Sequence, residues 1–204
     1  MYKTVVFDLD GTLLNTLTDL ADAGNRLCRK YGWPTHERQA YRYFVGNGIP
    51  KLVERLAPAD QRTPAVLEAA LADFKRDYGQ HLRDTTAPYP GIPEMLAKLK
   101  ANGVQLAVFS NKADALAKEV VKDYFGTQYF TIVRGQMTGV APKPAAEGTN
   151  ALLQALHADP ASTLYVGDSN VDVETAHNAN LPCCGAVWGF RTREELNAAG
   201  AEYL

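Results

Sequence analysis

Four stretches of the chain carry side chains that can bind or transfer charged groups, and three of them directly follow an apolar run. Asp8 and Asp10, with Gly11 and Thr12, close the run Lys3-Thr-Val-Val-Phe7. Ser110, Asn111 and Lys112 follow the run ending at Phe109, and Gly167, Asp168, Ser169 and Asp172 follow the run ending at Val166. Lys143, between Pro142 and Pro144, comes shortly after a further such run. Carboxylates are hard oxygen donors for divalent cations, whereas lysines, hydroxyls and amides hold anions. Singly, each stretch has a plainer reading. Asp-x-Asp-Gly strings are common in turns and also open calcium loops, but an EF-hand fails here: the other acidic ligands are missing and a strand precedes. Ser110-Asn111 also reads as a cap for a helix starting near Ala113, Lys143 as a solvated loop lysine, and Asp168 as an N-cap. Asp172 reads as a first-turn acid facing the helix dipole. Their joint placement at strand ends is what favours one shared site.

Bringing these loops together requires a parallel sheet, in which ligands bind beyond the carboxyl ends of the strands. The second part of the chain has that pattern. After Pro88-Tyr89-Pro90-Gly91, a helical stripe of Ile92, Met95, Leu96 and Leu99 ends at Asn102-Gly103. A strand over 105–109, a helix through Tyr124 and a strand over 129–133 follow. A helix over 145–157, a strand over 163–166, a helix over 170–179 and a strand over 184–187 complete the alternation. Residues from about 16 to 81 are different: Leu17, Leu20, Gly24, Leu27, Cys28 and Tyr31 share one helical face, and Val66, Ala70, Phe74 and Tyr78 another. Trp33-Pro34, Gly46-Asn47-Gly48 and Ala57-Pro58 divide this stretch into three or four helices. The expected architecture is an α/β, doubly wound parallel-sheet core of Rossmann-like form, residues 1–14 and 85–204, with an α-helical insertion at 15–84.

Composition excludes other classes. The 204 residues are 46% hydrophobic and 22% charged, with a formal net charge of −2, so the basic footprint of a nucleic-acid binder is absent. No apolar run approaches the ~18 residues of a membrane span, and Met1-Tyr2-Lys3-Thr4 runs into a strand without signal-peptide architecture. Three cysteines, two of them adjacent at 183 and 184, fit neither a disulfide framework nor zinc spacing and point to a reducing cytoplasm. Histidines at 36, 81, 157 and 177 are scattered, and Trp188 after the last strand can pack or line a site.

The segments FDLDGTL at 7–13, SNK at 110–112, Lys143-Pro144 and GDSNVDVETAHNA at 167–179 resemble the four motifs of the haloacid dehalogenase superfamily of phosphohydrolases, in family order. The helical insertion looks like that superfamily's first type of cap. FVGNGIPKLVERL at 44–56 and VWGFRTREELNAAGAEYL at 187–204 look like phosphoglycolate phosphatases. Departures are Asn15-Thr16 in place of Asp-Ser, Ala146 in place of the second proline after the lysine, and Asn180 in place of a glycine.

The resemblance implies a Mg²⁺-dependent phosphatase for a small-molecule phosphate ester. Asp8 is the expected nucleophile and Asp10 the general acid and base. Asp8, Asp168 and the Asp10 carbonyl are the expected metal donors, with Asp172 supporting the metal shell or Lys143. Lys143, Ser110, Asn111 and Thr12 are the expected phosphate contacts, and Asn47, Lys51 and Arg55 the cap candidates for leaving-group selection. Partners beyond substrate are limited to a second copy, the chain being monomer or homodimer. A mutase or pyrophosphatase on the same core remains an alternative. A receiver domain lacks the second aspartate and the insertion, and a silent binding protein would have lost a reactive position.

Overall fold

A computed structural model describes residues 1–204, and the chain divides into two compact units, Met1–Asn15 with Pro88–Leu204 and Thr16–Ala87. In chain order the elements are β1 (Thr4–Phe7), β2 (Leu14–Asn15), α1 (Leu17–Tyr31), α2 (Arg38–Phe44), α3 (Ile49–Leu56) and α4 (Pro64–Gln80). Then come β3 (Ala87–Pro88), α5 (Ile92–Ala101), β4 (Gln105–Ala113), α6 (Asp114–Phe125) and β5 (Phe130–Gln136). The chain ends with α7 (Ala146–Leu156), β6 (Thr163–Gly167), α8 (Asn170–Asn178), β7 (Cys183–Gly185) and α9 (Arg193–Ala198).

The first unit is a five-stranded sheet in the order β5-β4-β1-β6-β7, with every pairing parallel. β1 is therefore central, and successive strands add first on one side of it and then on the other. That reversal makes the doubly wound fold and opens a crevice at the carboxyl ends of β1 and its neighbours. β1 is buried along its whole length, as a strand covered on both faces must be. Val6, Ala107, Phe109, Leu152, Leu156, Tyr165 and Val173 belong to one core cluster that joins the sheet to α7 and α8. Asn102 caps α5, and Gly103 at φ 75° lets Val104 N–H return to the Leu99 carbonyl at 3.1 Å.

Three strands and both unit divisions differ in their bounds from the sequence reading. β4 continues through Ser110-Asn111-Lys112 to Ala113, with an irregular register against β5 between Phe109 and Ala113. β5 extends to Gln136, whereas β7 is shorter, Cys183–Gly185. The units divide at 15/16 and 87/88 because Asp19 of α1 binds Thr85 and Thr86 into the helical unit. It accepts their backbone N–H groups, each at 2.9 Å, and their hydroxyls at 2.5 and 2.7 Å. The helical unit packs α1 through Leu20, Leu27 and Cys28, α3 through Leu52, Val53 and Leu56, and α4 through Ala70, Phe74 and Tyr78. No helix in the chain is long and apolar enough to cross a membrane.

Candidate active site

The loop after β1 begins the site. Asp8 continues the strand, its N–H donating to the Val166 carbonyl at 2.9 Å, and the chain then turns tightly through Leu9–Leu14. Gly11 sits at φ +96°, and a Cβ there would lie 2.3 Å from Asp168 Oδ2, so the turn needs glycine for both conformation and space. Thr12 is completely buried and its hydroxyl donates to Asp168 Oδ1 at 3.1 Å. In that placement the Thr12 hydroxyl supports Asp168.

Lys143 is the centre of the charge network. Its Nζ donates to Asp8 Oδ1 at 2.8 Å and to Asp172 Oδ1 at 2.7 Å, with the Tyr165 hydroxyl at 3.2 Å and the Phe109 carbonyl at 3.3 Å. The lysine side chain is 2% exposed. Burial pulls its pKa down, but Asp172 and Asp8 outweigh burial and hold it well above the ordinary lysine value. Asn111 fixes the lysine's backbone, its Oδ1 accepting from Lys143 N–H at 2.8 Å and its Nδ2 donating to the Lys143 carbonyl at 3.2 Å. Asn111 therefore acts on the loop that carries Lys143.

Neither plain capping role for these residues is what the structure adopts. The N-cap of α6 is Ala113, without a side-chain capping bond, so Ser110 and Asn111 are not its caps. Ser110 Oγ instead accepts from Lys112 N–H at 3.2 Å. The N-cap of α8 is Ser169, not Asp168, and Asp172 completes its capping box. Asp172 Oδ2 accepts from Ser169 N–H at 3.0 Å and Ser169 Oγ at 2.7 Å, while Oδ1 holds Lys143. The helix-terminus role and the site role of Asp172 thus coexist on its two oxygens.

Asp8, Asp168 and Asp172 are buried, and one ligand atom from each lies within 4.8 Å of the others. Asp168 Oδ2 also accepts from Phe190 N–H at 2.7 Å. Burial, reinforced by Asp172, pushes the Asp8 carboxyl up to about 7 against the pull of Lys143. Burial and the neighbouring carboxylates push Asp168 well above the ordinary range too. Asp10 stands apart from the three-carboxylate group and pairs with Lys112, whose Nζ is 3.1 and 3.3 Å from its two oxygens. With all four carboxylates ionised they would outnumber the two lysines by two charges, and the raised pKa values of Asp8 and Asp168 reflect burial together with that excess. A hard divalent cation matches both this charge and the all-oxygen donor set.

Residue types alone did not disclose every participant. Lys112 was legible as a strand-end lysine but not as the partner of Asp10, and Tyr165 only as a strand residue. The Phe190 N–H is a backbone group that no side chain announces. Trp188, 46% exposed, donates its indole N–H to the Thr12 carbonyl at 3.0 Å. Gly189 lies where a Cβ would come 2.2 Å from Asp168 Cβ. In the helical unit, Arg55 donates to the Phe44 carbonyl at 2.8 Å and to Asn47 Oδ1 at 2.9 Å, closing the Gly46–Gly48 turn. Lys51 instead forms an exposed pair with Glu54 at 2.8 Å.

Residues 5–186 match the family model for haloacid dehalogenase-like hydrolases. A phosphoglycolate phosphatase of Thiobacillus denitrificans is 31% identical over 191 residues, covering 92% of this chain and 84% of the relative. One from a Cupriavidus necator plasmid is 32% identical over 201 residues, covering 98% and 87%. The crystal structure of a provisionally named phosphoglycolate phosphatase from Lactobacillus delbrueckii superposes with a TM-score of 0.93 at 29% identity, covering 99% of this chain and 93% of that one. With a doubly wound sheet whose strand ends gather four aspartates and two lysines, the chain belongs to the haloacid dehalogenase-like hydrolases, as an enzyme resembling their phosphoglycolate phosphatases.

Proposed function

We propose that the enzyme hydrolyses a small phosphate monoester, 2-phosphoglycolate before others, through a phosphoryl-aspartate formed on Asp8. The observation that carries this reading is the buried Asp8 at the end of β1, one oxygen fixed 2.8 Å from Lys143, with Asp10 two residues away. Lys143, Ser110 and the N–H groups opening α6 attract and orient the phosphate oxygens. An oxygen of Asp8 attacks phosphorus in line, forming the Asp8–phosphorus bond as the ester P–O bond breaks. Asp10 gives its proton to the departing alkoxide. In the second half-reaction Asp10 takes a proton from water, whose oxygen bonds to phosphorus while the Asp8–phosphorus bond breaks. The sum is ester plus water to alcohol plus inorganic phosphate, with both aspartates restored. Asp8, Asp168 and the Asp10 carbonyl are the residues that would hold Mg²⁺, with Asp172 behind them. When bound, the ion supplies Lewis-acid neutralisation of phosphate charge.

The helical unit serves in this reading as a cap that excludes water and selects the leaving group. Lys51 is its best-suited cation for a glycolate carboxylate, because an exposed i,i+3 pair with Glu54 is weak and readily exchanged. Asn47 and Arg55 shape the turn before it. Three free cysteines suit a cytoplasmic setting. The test is phosphate release from 2-phosphoglycolate, pyrophosphate, sugar phosphates and nucleotides, with Mg²⁺ or EDTA, beside Asp8→Asn. Metal-dependent release is expected, highest in kcat/KM for 2-phosphoglycolate and at least ~1,000-fold lower in the variant. Phosphate transfer to a second substrate position without release identifies a mutase instead. No release from any ester by folded, metal-loaded protein refutes the reading.

A further inference from the structure

We infer that Lys112 is a positioning residue for the reaction, acting through Asp10, an inference that rests on the hydrolytic reading above. Three observations support it. The lysine side chain is 3% exposed, although it lies at the polar end of a strand where an extended side chain could reach solvent. Its Nζ meets both carboxylate oxygens of Asp10, at 3.1 and 3.3 Å, so the ammonium sits between them and restrains where the carboxylate can lie. The strand itself is built to deliver it: β4 persists through Ser110 and Asn111, and Ser110 Oγ holds the Lys112 N–H at 3.2 Å.

Other supports in the site serve different groups. Asn111 and Tyr165 hold Lys143, Thr12 and Phe190 N–H hold Asp168, and Ser169 holds Asp172. Asp10 is 15% exposed, stands in a glycine-containing turn and must deliver a proton to one oxygen and accept one from another. Both transfers need its carboxyl group held within hydrogen-bond reach of the reacting oxygens. A buried ammonium that bridges its two oxygens supplies that restraint from the neighbouring strand. It also places a positive charge against the Asp10 carboxylate in a site rich in acids. Lys112 itself exchanges no proton or bond with substrate in this role.

The experiment compares wild type with Lys112→Gln and Lys112→Arg as complete, Mg²⁺-loaded protein, using 2-phosphoglycolate and p-nitrophenyl phosphate. p-Nitrophenolate is a stable anion and leaves without a donated proton, so only the second half-reaction with that ester needs Asp10. With 2-phosphoglycolate both halves need it. For Lys112→Gln we expect kcat on 2-phosphoglycolate to fall by ~10- to 100-fold, part of the usual range for acid–base catalysis, with KM within about twofold. On p-nitrophenyl phosphate the variant keeps a stoichiometric burst of nitrophenolate at near wild-type rate, followed by a steady state slowed to a similar degree. Lys112→Arg restores most of kcat. A purely structural lysine would not separate burst from turnover.

A rise in KM at constant kcat overturns the inference and makes Lys112 a substrate-anion contact. Unchanged kinetics, or a burst and steady state that fall together, overturn it as well. Should Lys112→Gln not fold, Lys112→Met takes its place and is read by the same separation of burst from turnover. A wild type inert towards every ester removes the hydrolytic reading and the inference together. An active wild type with unaffected lysine variants removes only the inference.

Discussion

Replacing Lys143 by methionine isolates the largest electrostatic term in the core unit. The ammonium lies 2.8 Å from Asp8 Oδ1 and 2.7 Å from Asp172 Oδ1, with the lysine and Asp172 side chains 2% and 1% exposed. At an effective dielectric constant of about 20, each contact is worth roughly 6 kcal/mol of gross attraction. Burial of the three charges takes back several kcal/mol per ion. Methionine has similar length and apolar volume, so little packing is lost. What remains is a set of carboxylates within 4.8 Å of one another, repelling by roughly 3 kcal/mol per charged pair on the same scale. Removing one partner of a buried pair costs about 3–5 kcal/mol, and that is the loss expected here.

The measurement is urea unfolding of Lys143→Met and wild type in EDTA, at pH 8 and pH 5. With a slope near 2 kcal/mol/M, the midpoint at pH 8 falls by about 1.5–2.5 M. The lysine in wild type is charged at both pH values, because its pKa is held above the ordinary one, so its own titration does not contribute. The stranded carboxylates protonate readily, and the loss at pH 5 shrinks to less than about half. Adding Asp172→Asn to Lys143→Met removes one stranded charge and recovers part of the loss at pH 8. A loss below 1 kcal/mol at pH 8, or an equal loss at both pH values, refutes this electrostatic account.

Two further outcomes follow from the same geometry. Asp8 titrates near 7 in the folded chain against 3.8 for the free side chain, so the folded state binds this proton more tightly. Stability without metal is therefore fullest below about 4 and declines as pH rises to about 7, by up to about 4 kcal/mol, with Asp168 acting in the same direction. Tm in EDTA should drop between pH 5 and 8 and Mg²⁺ should restore more of it at pH 8, so a Tm that rises over that window contradicts the assignment. For Gly189→Ala, the new methyl group meets Asp168 Cβ at 2.2 Å and the Gly11 carbonyl oxygen at 2.5 Å, neither free to swing away. A loss of about 2–3 kcal/mol and a weaker Mg²⁺ response in calorimetric titration are expected, and an unchanged pair of values rules out the close approach.

The sheet was legible because its strands are apolar on both faces and are separated by helices of regular period. Val5-Val6-Phe7 and Leu106-Ala107-Val108 need no partner information to read as buried strands. The prolongation of β4 was not legible, because Ser110-Asn111-Lys112 has the composition of a loop. Those residues are buried at 3%, 8% and 5%, as a loop of that composition would not be, because each meets a polar partner brought from elsewhere in the chain or close by. Lys112 and Asp10 are 102 positions apart, and no periodicity couples them. Thr12 was no more legible in its role towards Asp168, because only the turn closed by Gly11 brings its hydroxyl there. Tyr165 lay hidden for a similar reason, since its ring belongs to the core and only its hydroxyl reaches Lys143.

Asp172 shows why the plain and the chemical readings of such a site need not exclude each other. One oxygen completes the capping box of α8 and the other holds the site lysine. The start of the helix and the position of Lys143 are therefore fixed by one carboxylate, whose backbone is set by the sheet through the close approach at Gly167, where a Cβ would lie 2.2 Å from Asp172 Cβ. A longer acid would move the lysine away from Asp8, and an amide would keep the cap but lose the charge that keeps Lys143 protonated in a buried place. The same reasoning assigns the two lysines distinct duties. Lys143 is braced against Asp8, directly after β1, and Asp172 of α8, whereas Lys112 meets Asp10, a residue of a turn. A buried cation adds little net stability where the charges it faces are themselves costly to bury. What Lys112 contributes is orientation, which kinetics with two leaving groups can separate from stability.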